Sequence, residues 1–390
     1  MSNRSVLITG ATGIMGGWVL GEALDRGYAP IALMRDADPA HARERLAAIL
    51  RLVGREDGLE HVRVVRGDTR QPRLGVSETD AEFLRANLGG MIHCAACTSF
   101  NPRQRDEIWA TNVEGCRHVL DFLDGTGIPL YHVSTAYVAG RRPGRAREDE
   151  LIGGYGFNNP YEESKYEAER LVHEAMDAGR IQAAVFRPGI LVGAANAQGR
   201  ISQFLNFYNF LRLVDLASGG RFNGTRVISF AANPEATKNL VPVDWTAEAL
   251  WSIIEADGPS AKTYHLTNPN PVSHHSVREW ANAYLKPANV RIDFLAHDGG
   301  GEDVSPGSLR EYAAYLQDEP CFDRTNTEQA LAGTLPFPEV GPALYVELLE
   351  YARLRRWRGI FGCRANPMNL GGVAKEKSQS ASAGNTAAVG

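Results

Sequence analysis

The chain of 390 residues lacks several features that would mark a specialised class of protein. It has no apolar run of about 18 residues, so we expect no transmembrane helix. The formal net charge is only −5, which argues against nucleic acid as a partner. Five cysteines is an odd number, and an apolar strand pattern begins within about five residues of the start, leaving no room for a signal peptide. We therefore expect a cytoplasmic globular protein with free thiols.

The chain does contain a glycine-rich turn, which directly follows an apolar run: Val6-Leu-Ile-Thr-Gly-Ala-Thr-Gly-Ile-Met-Gly16. A strand, a tight turn and a helix N-terminus bring together backbone N–H groups and a helix dipole that can hold a pyrophosphate. The spacing is G-x-x-G-x-x-G, and glycine-rich turns are common, so the turn alone is weak evidence. Its position at the first strand-to-helix turn favours a dinucleotide site.

Apolar strands and amphipathic helical segments alternate along the first half of the chain. The predicted strands are Val6–Ile8, Ile31–Met34, Val62–Val65, Met91–Cys94, Leu130–Val133 and Ala183–Phe186. The predicted helices are Ile14–Arg26, Pro39–Val53, Trp109–Leu123 and one that starts near Tyr161. This alternation predicts the α/β class, a doubly wound parallel sheet of the Rossmann type with helices on both faces. We assign it to residues 1–190, with some later segments returning to it.

The pattern changes after about residue 190. Apolar residues recur at helical spacing from Phe204 to Val214, which predicts a packed core stripe with one or two side chains lining a pocket. Asn239–Trp245 leads into a helix, Thr263–Thr267 is a late strand, and 343–361 is amphipathic. We assign residues 191–364 to a smaller substrate-binding cap and residues 365–390 to a disordered tail.

Two segments carry candidate catalytic groups. In Asn159-Pro160-Tyr161-Glu-Glu-Ser-Lys165, an N-cap and a first-turn proline place Tyr161 and Lys165 on one helix face. We expect the lysine ammonium to lower the tyrosine pKa, so that the pair exchanges a proton with a carbonyl or alkoxide oxygen. Ser134 and Thr135 follow the fifth strand, where a hydroxyl can reach a ligand, and both are candidates.

The chain resembles the extended short-chain dehydrogenases/reductases, and within them the thioester reductase and fatty acyl-CoA reductase branch. The resemblance covers about residues 5–285 and rests on these segments: Gly10-Ala-Thr-Gly-Ile-Met-Gly16, Leu33-Met-Arg35, Gly67-Asp68, Leu74-Gly-Val76, His93-Cys-Ala-Ala96, Asn112-Val-Glu-Gly115, Val133-Ser-Thr-Ala-Tyr-Val138, Tyr161-Glu-Glu-Ser-Lys165, Arg187-Pro-Gly-Ile190, Leu240-Val-Pro-Val-Asp-Trp245 and Tyr264-His-Leu-Thr267. The family often has serine where this chain has Gly189, so a hydroxyl near that backbone is absent.

The resemblance implies roles for individual residues. Thr135 would be the catalytic hydroxyl, Tyr161 the acid and Lys165 the pKa-lowering group, and Asn112 would support the lysine, often through water. The implied cofactor-binding residues, with Tyr161 and Lys165, are Gly10, Thr12, Gly13, Ile14, Met15, Gly16, Arg35, Arg45, Asp68, Thr69, Ala95, Ala96, Pro188, Gly189 and Ile190. No metal ligands are expected.

Arg35 favours NADPH as the cofactor. It ends the second strand, where an NAD-specific site places a carboxylate for the ribose 2′-OH. A guanidinium there pairs with a 2′-phosphate, and Arg45 matches a second arginine of the same branch. Asp36 is adjacent and would favour NAD instead.

The first interpretation is therefore an NADPH-dependent reductase that converts an acyl thioester to an aldehyde, with a second reduction of the aldehyde to an alcohol left open. We expect the acyl group on a separate carrier protein or on coenzyme A. A nucleotide-sugar epimerase or dehydratase, or a hydroxysteroid-type dehydrogenase, would share Thr135, Tyr161 and Lys165. A non-catalytic dinucleotide sensor is a third alternative. The thioester interpretation predicts a long groove, apolar on one side, that meets Thr135 and Tyr161 and has the Phe204–Phe210 segment as a wall.

Overall fold

A computed structural model of the chain describes residues 4–219, 225–295 and 314–361. At its centre lies a seven-stranded parallel sheet, composed of β1 (Ser5–Thr9), β2 (Ala29–Met34), β3 (Arg63–Arg66), β4 (Gly90–His93), β5 (Leu130–Val133), β6 (Ala183–Pro188) and β7 (Thr263–Leu266). The spatial order is β3-β2-β1-β4-β5-β6-β7. The order reverses between β1 and β4, which creates a crevice at the carboxyl ends of these strands. The predicted α/β class is confirmed.

Helices cover both faces of this sheet and build the cap. In chain order they are α1 (Ile14–Asp25), α2 (Pro39–Leu52), α3 (Glu78–Asn87), α4 (Arg105–Trp109), α5 (Gly115–Leu123), α6 (Pro160–Asp177), α7 (Phe207–Ser218), α8 (Val243–Asp257), α9 (His274–Leu285), α10 (Thr325–Leu331) and α11 (Pro342–Leu354). The predicted caps are present: the side chains of Asp38 and Asn159 accept hydrogen bonds from backbone N–H groups of α2 and α6, each of which starts with proline.

One predicted helix differs from the observed structure. The helix expected at Trp109–Leu123 starts four residues earlier, at Arg105, and Ala110–Glu114 forms a π-helical turn between α4 and α5. This turn carries Asn112, whose amide bonds two neighbouring segments. The spacing of apolar residues does not reveal such a local insertion, because the π-helical turn leaves the apolar spacing within each flanking helix unchanged.

Segments beyond residue 190 return to the sheet. Strand β7 pairs in parallel with β6 at the sheet edge, and α8 packs on α1, where the Trp251 indole donates to the Val19 carbonyl over 2.9 Å. The rest of the later chain forms a second core around Tyr208, Leu211 and Leu349. Short strand pairs extend it, namely Arg226–Ala231 with Val290–Leu295 and Thr237–Lys238 with Val272–Ser273. The tail expected at 365–390 lies outside the described residues.

Candidate active site

The glycine turn forms a cradle that side chains would fill. Gly10 has a φ of +67°, and a Cβ on it would lie 2.8 Å from the backbone of Ala95. A Cβ on Gly16 would lie 2.1 Å from the Gly10 carbonyl oxygen, and the Gly13 N–H donates to that same oxygen over 2.8 Å. Glycine is therefore required for the backbone to turn this tightly into the N-terminus of α1. The result is a concave, N–H-rich surface that fits a pyrophosphate.

Two arginines flank this cradle differently. Arg35 follows β2 and is exposed, and its charge acts on Asp68 in the loop after β3. Arg45 on α2 donates to Asp36 over 2.8 Å and to the hydroxyl of Thr12 over 3.1 Å. The carboxylate of Asp36, which could have favoured NAD, is therefore already paired.

The loop after β3 is held by its own contacts. Burial alone would raise the pKa of the Asp68 carboxyl, but hydrogen bonds from the Arg70 side chain and backbone outweigh it and lower that pKa. Thr69 is buried, and its carbonyl accepts from the His118 ring over 2.9 Å. Neither Asp68 nor Thr69 borders the central cavity, so any role they have lies toward the outer part of the crevice.

The loop after β4 is anchored to both neighbouring elements. The Ala95 N–H donates to the Thr9 hydroxyl over 3.1 Å, which fixes the loop against β1. The Asn112 amide accepts from the Cys97 N–H over 2.7 Å and donates to the Ser164 hydroxyl over 2.8 Å. Asn112 therefore connects this loop to α6 through the residue next to Lys165, rather than by a direct bond to the lysine. This loop places Ala96 in the cavity wall.

Thr135, Tyr161 and Lys165 converge at the carboxyl end of β5. The Tyr161 and Thr135 side chains share a hydrogen bond, and the Lys165 ammonium donates to the Val133 carbonyl over 2.8 Å. Lys165 and Thr135 are only 3% and 4% exposed. The sequence left open whether Ser134 or Thr135 acts. Ser134 donates to the buried Glu169 over 2.5 Å, whereas the Thr135 hydroxyl makes only longer bonds, to the Pro188 carbonyl over 3.4 Å and from the Tyr137 N–H over 3.3 Å, and is the one that reaches Tyr161.

The expected lowering of the Tyr161 pKa was wrong for this structure. Burial raises the pKa of Tyr161 to about 12, and the hydrogen bond with Thr135 offsets only part of that effect. Burial also lowers the pKa of Lys165. The Lys165 ammonium donates to the Val133 carbonyl rather than to the Tyr161 hydroxyl. The loss of water around the phenol is therefore the largest influence on the Tyr161 pKa. Tyr161 therefore holds its proton at neutral pH.

These groups border a cavity of about 280 Å³. Ile14 and Met15 of the first turn of α1, Thr135, Tyr161, Lys165 and the segment Pro188–Ile190 line its sheet side. A Cβ on Gly189 would lie 2.5 Å from the Asn239 amide oxygen, so the glycine accommodates this neighbour where the family often has serine. The cap side is mainly apolar, with Leu205, Phe207, Phe210, Val277, Phe294 and Leu316.

The aromatic stripe is divided between this cavity and the cap core. Phe207 and Phe210 line the cavity, whereas Phe204 and Tyr208 are buried, with ring centroids 5.2 Å apart. Helix α7 begins at Phe207, so the wall is formed by the first turn of that helix and the preceding Leu205 rather than by Phe204.

Several residues at this site were not predicted from the sequence. Arg187 at the end of β6 donates to Glu169 of α6 over 2.5 Å, and both side chains are buried. A signal existed, because Glu169 follows Lys165 by four residues and so shares its helix face with Tyr161. Lys238, His274, Phe294 and Tyr315 also line the cavity, and they share no motif or spacing.

Comparison with known proteins agrees with this geometry. Residues 8–250 match the model of an NAD-binding domain family described as "Male sterility protein". The chain belongs to this family. It is an extended short-chain dehydrogenase/reductase of the thioester reductase type and an NAD(P)-dependent oxidoreductase, and its cofactor is a nicotinamide dinucleotide.

Individual relatives give the same picture. The nonribosomal peptide synthetase asaC of Aspergillus flavus is 28% identical over 85% of this chain, and the carboxylic acid reductase of Mycobacterium tuberculosis is 24% identical over 76%. The matches cover only 34% and 27% of those two relatives, so this chain spans about a third or less of their length.

Solved structures extend the likeness to the whole fold. The terminal R domain from the myxalamid PKS-NRPS pathway has a TM-score of 0.74 and 26% identity, with 91% of this chain and 92% of that chain covered. A UDP-glucose-4-epimerase from Stenotrophomonas maltophila has a TM-score of 0.65 at 15% identity, with 90% and 98% covered, which shows only that the scaffold is shared. No helix within the three described ranges is long and apolar enough to cross a membrane.

Proposed function

We propose that this protein is an NADPH-dependent reductase that converts an acyl thioester to an aldehyde by a Thr135–Tyr161–Lys165 mechanism. The observation that carries the proposal is the cavity, whose mainly apolar cap wall meets the Thr135 and Tyr161 hydroxyls beside the glycine cradle. An apolar wall suits an acyl chain, because each methylene removed from water contributes about 0.8 kcal/mol.

The preference for NADPH rests on the charges beside the cradle. Arg35 is exposed at the end of β2, where a 2′-phosphate would be met by a guanidinium. The nearest carboxylate along the chain, Asp36, is bonded to Arg45. A site built for the free ribose 2′-OH would instead leave a carboxylate available.

The proposed chemistry assigns one task to each side chain. When bound, the nicotinamide dinucleotide supplies a hydride to the thioester carbonyl carbon. The Thr135 and Tyr161 hydroxyls donate to the carbonyl oxygen and stabilise the negative charge that develops on it. Since its raised pKa keeps Tyr161 protonated, this phenol is the acid that protonates the oxygen. The C–S bond then breaks, which releases an aldehyde and a thiol. Lys165 and Asn112 hold the loop and helix that position these hydroxyls.

We propose a carrier protein or coenzyme A as the thiol that delivers the acyl group. Support comes from the relatives, which include nonribosomal peptide synthetases and reductase domains of such assemblies. The aldehyde is itself a carbonyl compound that fits the same hydroxyl pair, so a second hydride transfer would give the alcohol.

The epimerase alternative uses the same scaffold and the same three residues. It requires a polar pocket for a nucleotide diphosphate, whereas Phe207, Phe210 and Phe294 occupy the cap side here. A non-catalytic sensor would not need a half-buried Tyr161 and a buried Lys165 together at the cavity wall. Both alternatives are therefore less well supported than thioester reduction.

The test is to incubate the protein with NADPH or NADH and a panel of acyl-CoA and acyl-pantetheine thioesters, free aldehydes and a UDP-sugar. Oxidation of the nicotinamide is followed by absorbance, and products are identified by mass spectrometry. Thioester-dependent NADPH oxidation with aldehyde or alcohol formation is expected. Turnover of the UDP-sugar without turnover of any thioester would promote the epimerase alternative.

A further inference from the structure

A buried ion pair lies at the cavity wall, outside the Thr135–Tyr161–Lys165 group. The Lys238 ammonium is 3.3 Å from a Glu319 carboxylate oxygen, and the two side chains are only 8% and 4% exposed. The Tyr137 hydroxyl donates to the same oxygen over 2.7 Å. Lys238 and Tyr137 line the cavity, whereas Glu319 contacts them from outside its lining. The pair therefore presents its cation, not its anion, to the cavity.

The hydrogen-bonding capacity of the two partners differs. Glu319 receives hydrogen bonds from Tyr137, from Lys238 and from the backbone N–H of Asn239. An ammonium has three N–H donors, and among the described residues Glu319 is the hydrogen-bond partner of the Lys238 ammonium. Counting the described residues only, Lys238 keeps unused N–H donors in a mainly apolar cavity, where a polar group without a partner is costly.

His274 adds an acceptor beside this donor. Its Nδ1 lies 2.8 Å from the Asn233 carbonyl oxygen, so Nδ1 carries the proton and Nε2 is left as an acceptor. Burial, together with the charge of Lys238, lowers the pKa of His274 to about 4, so its ring is neutral at pH 7. The charged groups that act on this end of the cavity are therefore one buried cation, the Glu319 carboxylate that neutralises it and the exposed carboxylate of Asp318, so no positive charge is left unbalanced.

This balance of charge selects among possible ligands. A substrate carboxylate would share one buried cation with Glu319, and two anions at one buried site repel each other. A purely aliphatic chain would leave the Lys238 donors unsatisfied. A neutral carbonyl oxygen satisfies them without adding charge.

We propose that Lys238 is a specificity-determining residue that binds a neutral carbonyl oxygen, such as that of an amide, on the thioester substrate. The inference rests on the proposed thioester reductase function and narrows its substrate class. Such an oxygen exists on an acyl chain that contains an amide, and also on the amide-containing pantetheine arm of a carrier or coenzyme A. The chemistry is the same in both cases, and the substrates below distinguish the two sources.

The experiment compares kcat/KM for thioesters that vary in each half. The acyl chain is saturated, contains an internal amide, or ends in a carboxylate, at matched length. The thiol is either pantetheine or ethanethiol, which has no amide. We expect the amide chain to be preferred over both others, and Lys238→Met to lower the amide-to-saturated ratio by roughly tenfold to a hundredfold. A change confined to the pantetheine-to-ethanethiol ratio places the bound oxygen on the arm.

Two further variants keep the test decisive. Lys238→Met leaves Glu319 buried without its cation, so the double variant Lys238→Met/Glu319→Gln removes both charges and protects folding. Lys262→Met is the matched control, since Lys262 is 45% exposed and pairs with Asp257 away from the cavity. Unchanged ratios for both acyl chain and thiol in the folded double variant, or a preference for the carboxylate chain, would overturn the inference. Absence of NADPH oxidation with every thioester would instead overturn the proposed function, and this inference with it.

Discussion

The sheet half and the cap half contribute to one cavity with very different internal support. On the sheet side, Glu169 is held by the guanidinium of Arg187, by the Ser134 hydroxyl and by His173, and all of these bonds lie next to the catalytic helix. On the cap side, most of the wall is apolar side chains, and Lys238 is the buried cation there. On the sheet side, several bonds therefore fix the position of the helix that carries Tyr161 and Lys165. On the cap side, apolar side chains can be replaced without breaking any of these bonds.

The largest effect should come from breaking the support of the sheet half. Glu169→Gln leaves the Arg187 guanidinium buried without its anion, which we expect to lower the free energy of unfolding by about 3–5 kcal/mol. Burial alone would raise the pKa of Glu169, but Arg187 holds it well below the usual range. The contribution of the pair is therefore full above the unfolded pKa of about 4.5 and is lost progressively as the pH falls from there through the strongly lowered folded pKa, so most of it remains at pH 4. Chemical denaturation at pH 7 measures the cost of the substitution, and a series from pH 7 down to the lowest pH at which the protein stays folded measures the pH dependence.

The control for this variant lies on the same helix. Glu174→Gln removes an exposed ion pair with Arg170 and should change stability by no more than about 0.5 kcal/mol. If Glu169→Gln costs no more than Glu174→Gln, the sheet half is not supported by its buried pair.

The next effect separates chemistry from cofactor binding. Tyr161→Phe removes the acid but keeps the ring, so kcat should fall by at least about a hundredfold while the dissociation constant for NADPH stays nearly unchanged. Tyr166→Phe is the matched control. Tyr166 lies on the same helix as Tyr161, but it packs on Phe157 and does not line the cavity. Steady-state kinetics and fluorescence titration measure the two quantities. Near-normal turnover of Tyr161→Phe would remove Tyr161 from the mechanism.

The smallest effect should show that cofactor and substrate preferences belong to different halves. Arg35→Asp is expected to weaken NADPH binding by on the order of 2 kcal/mol, because a charge-assisted pair with the 2′-phosphate is lost. The ratio of kcat/KM between two acyl chains should not change, since the proposed contacts to the acyl chain lie in the cap. Arg43→Asp, an exposed substitution on α2 that loses only a pair with Glu60, serves as the control. Equal affinity of the unaltered protein for NADPH and NADH would contradict the assignment of Arg35.

The amino-acid sequence alone determined the class of fold and pointed to the glycine turn and to the helix that carries Tyr161 and Lys165. Strand and helix periods are local properties, so the alternating pattern, the glycine turn and the capped Tyr161–Lys165 helix were all readable. Each is encoded within one short segment, and the residues of that segment stay together in the folded protein. The parallel sheet then necessarily brings the strand ends to one edge.

Only the tertiary structure decided which polar side chains are already bonded to other parts of the protein. Ser134 and Thr135 were both candidates by position, and Asp36 next to Arg35 could have reversed the cofactor preference, but Ser134 donates to Glu169 and Asp36 accepts from Arg45. The raised pKa of Tyr161 also follows from burial by the whole fold rather than from the spacing of its neighbours. Lys238 and Glu319 are 81 residues apart, so no local pattern links them. Burial and long-range pairing depend on how the packed elements close on one another, and that information is not carried by any single segment.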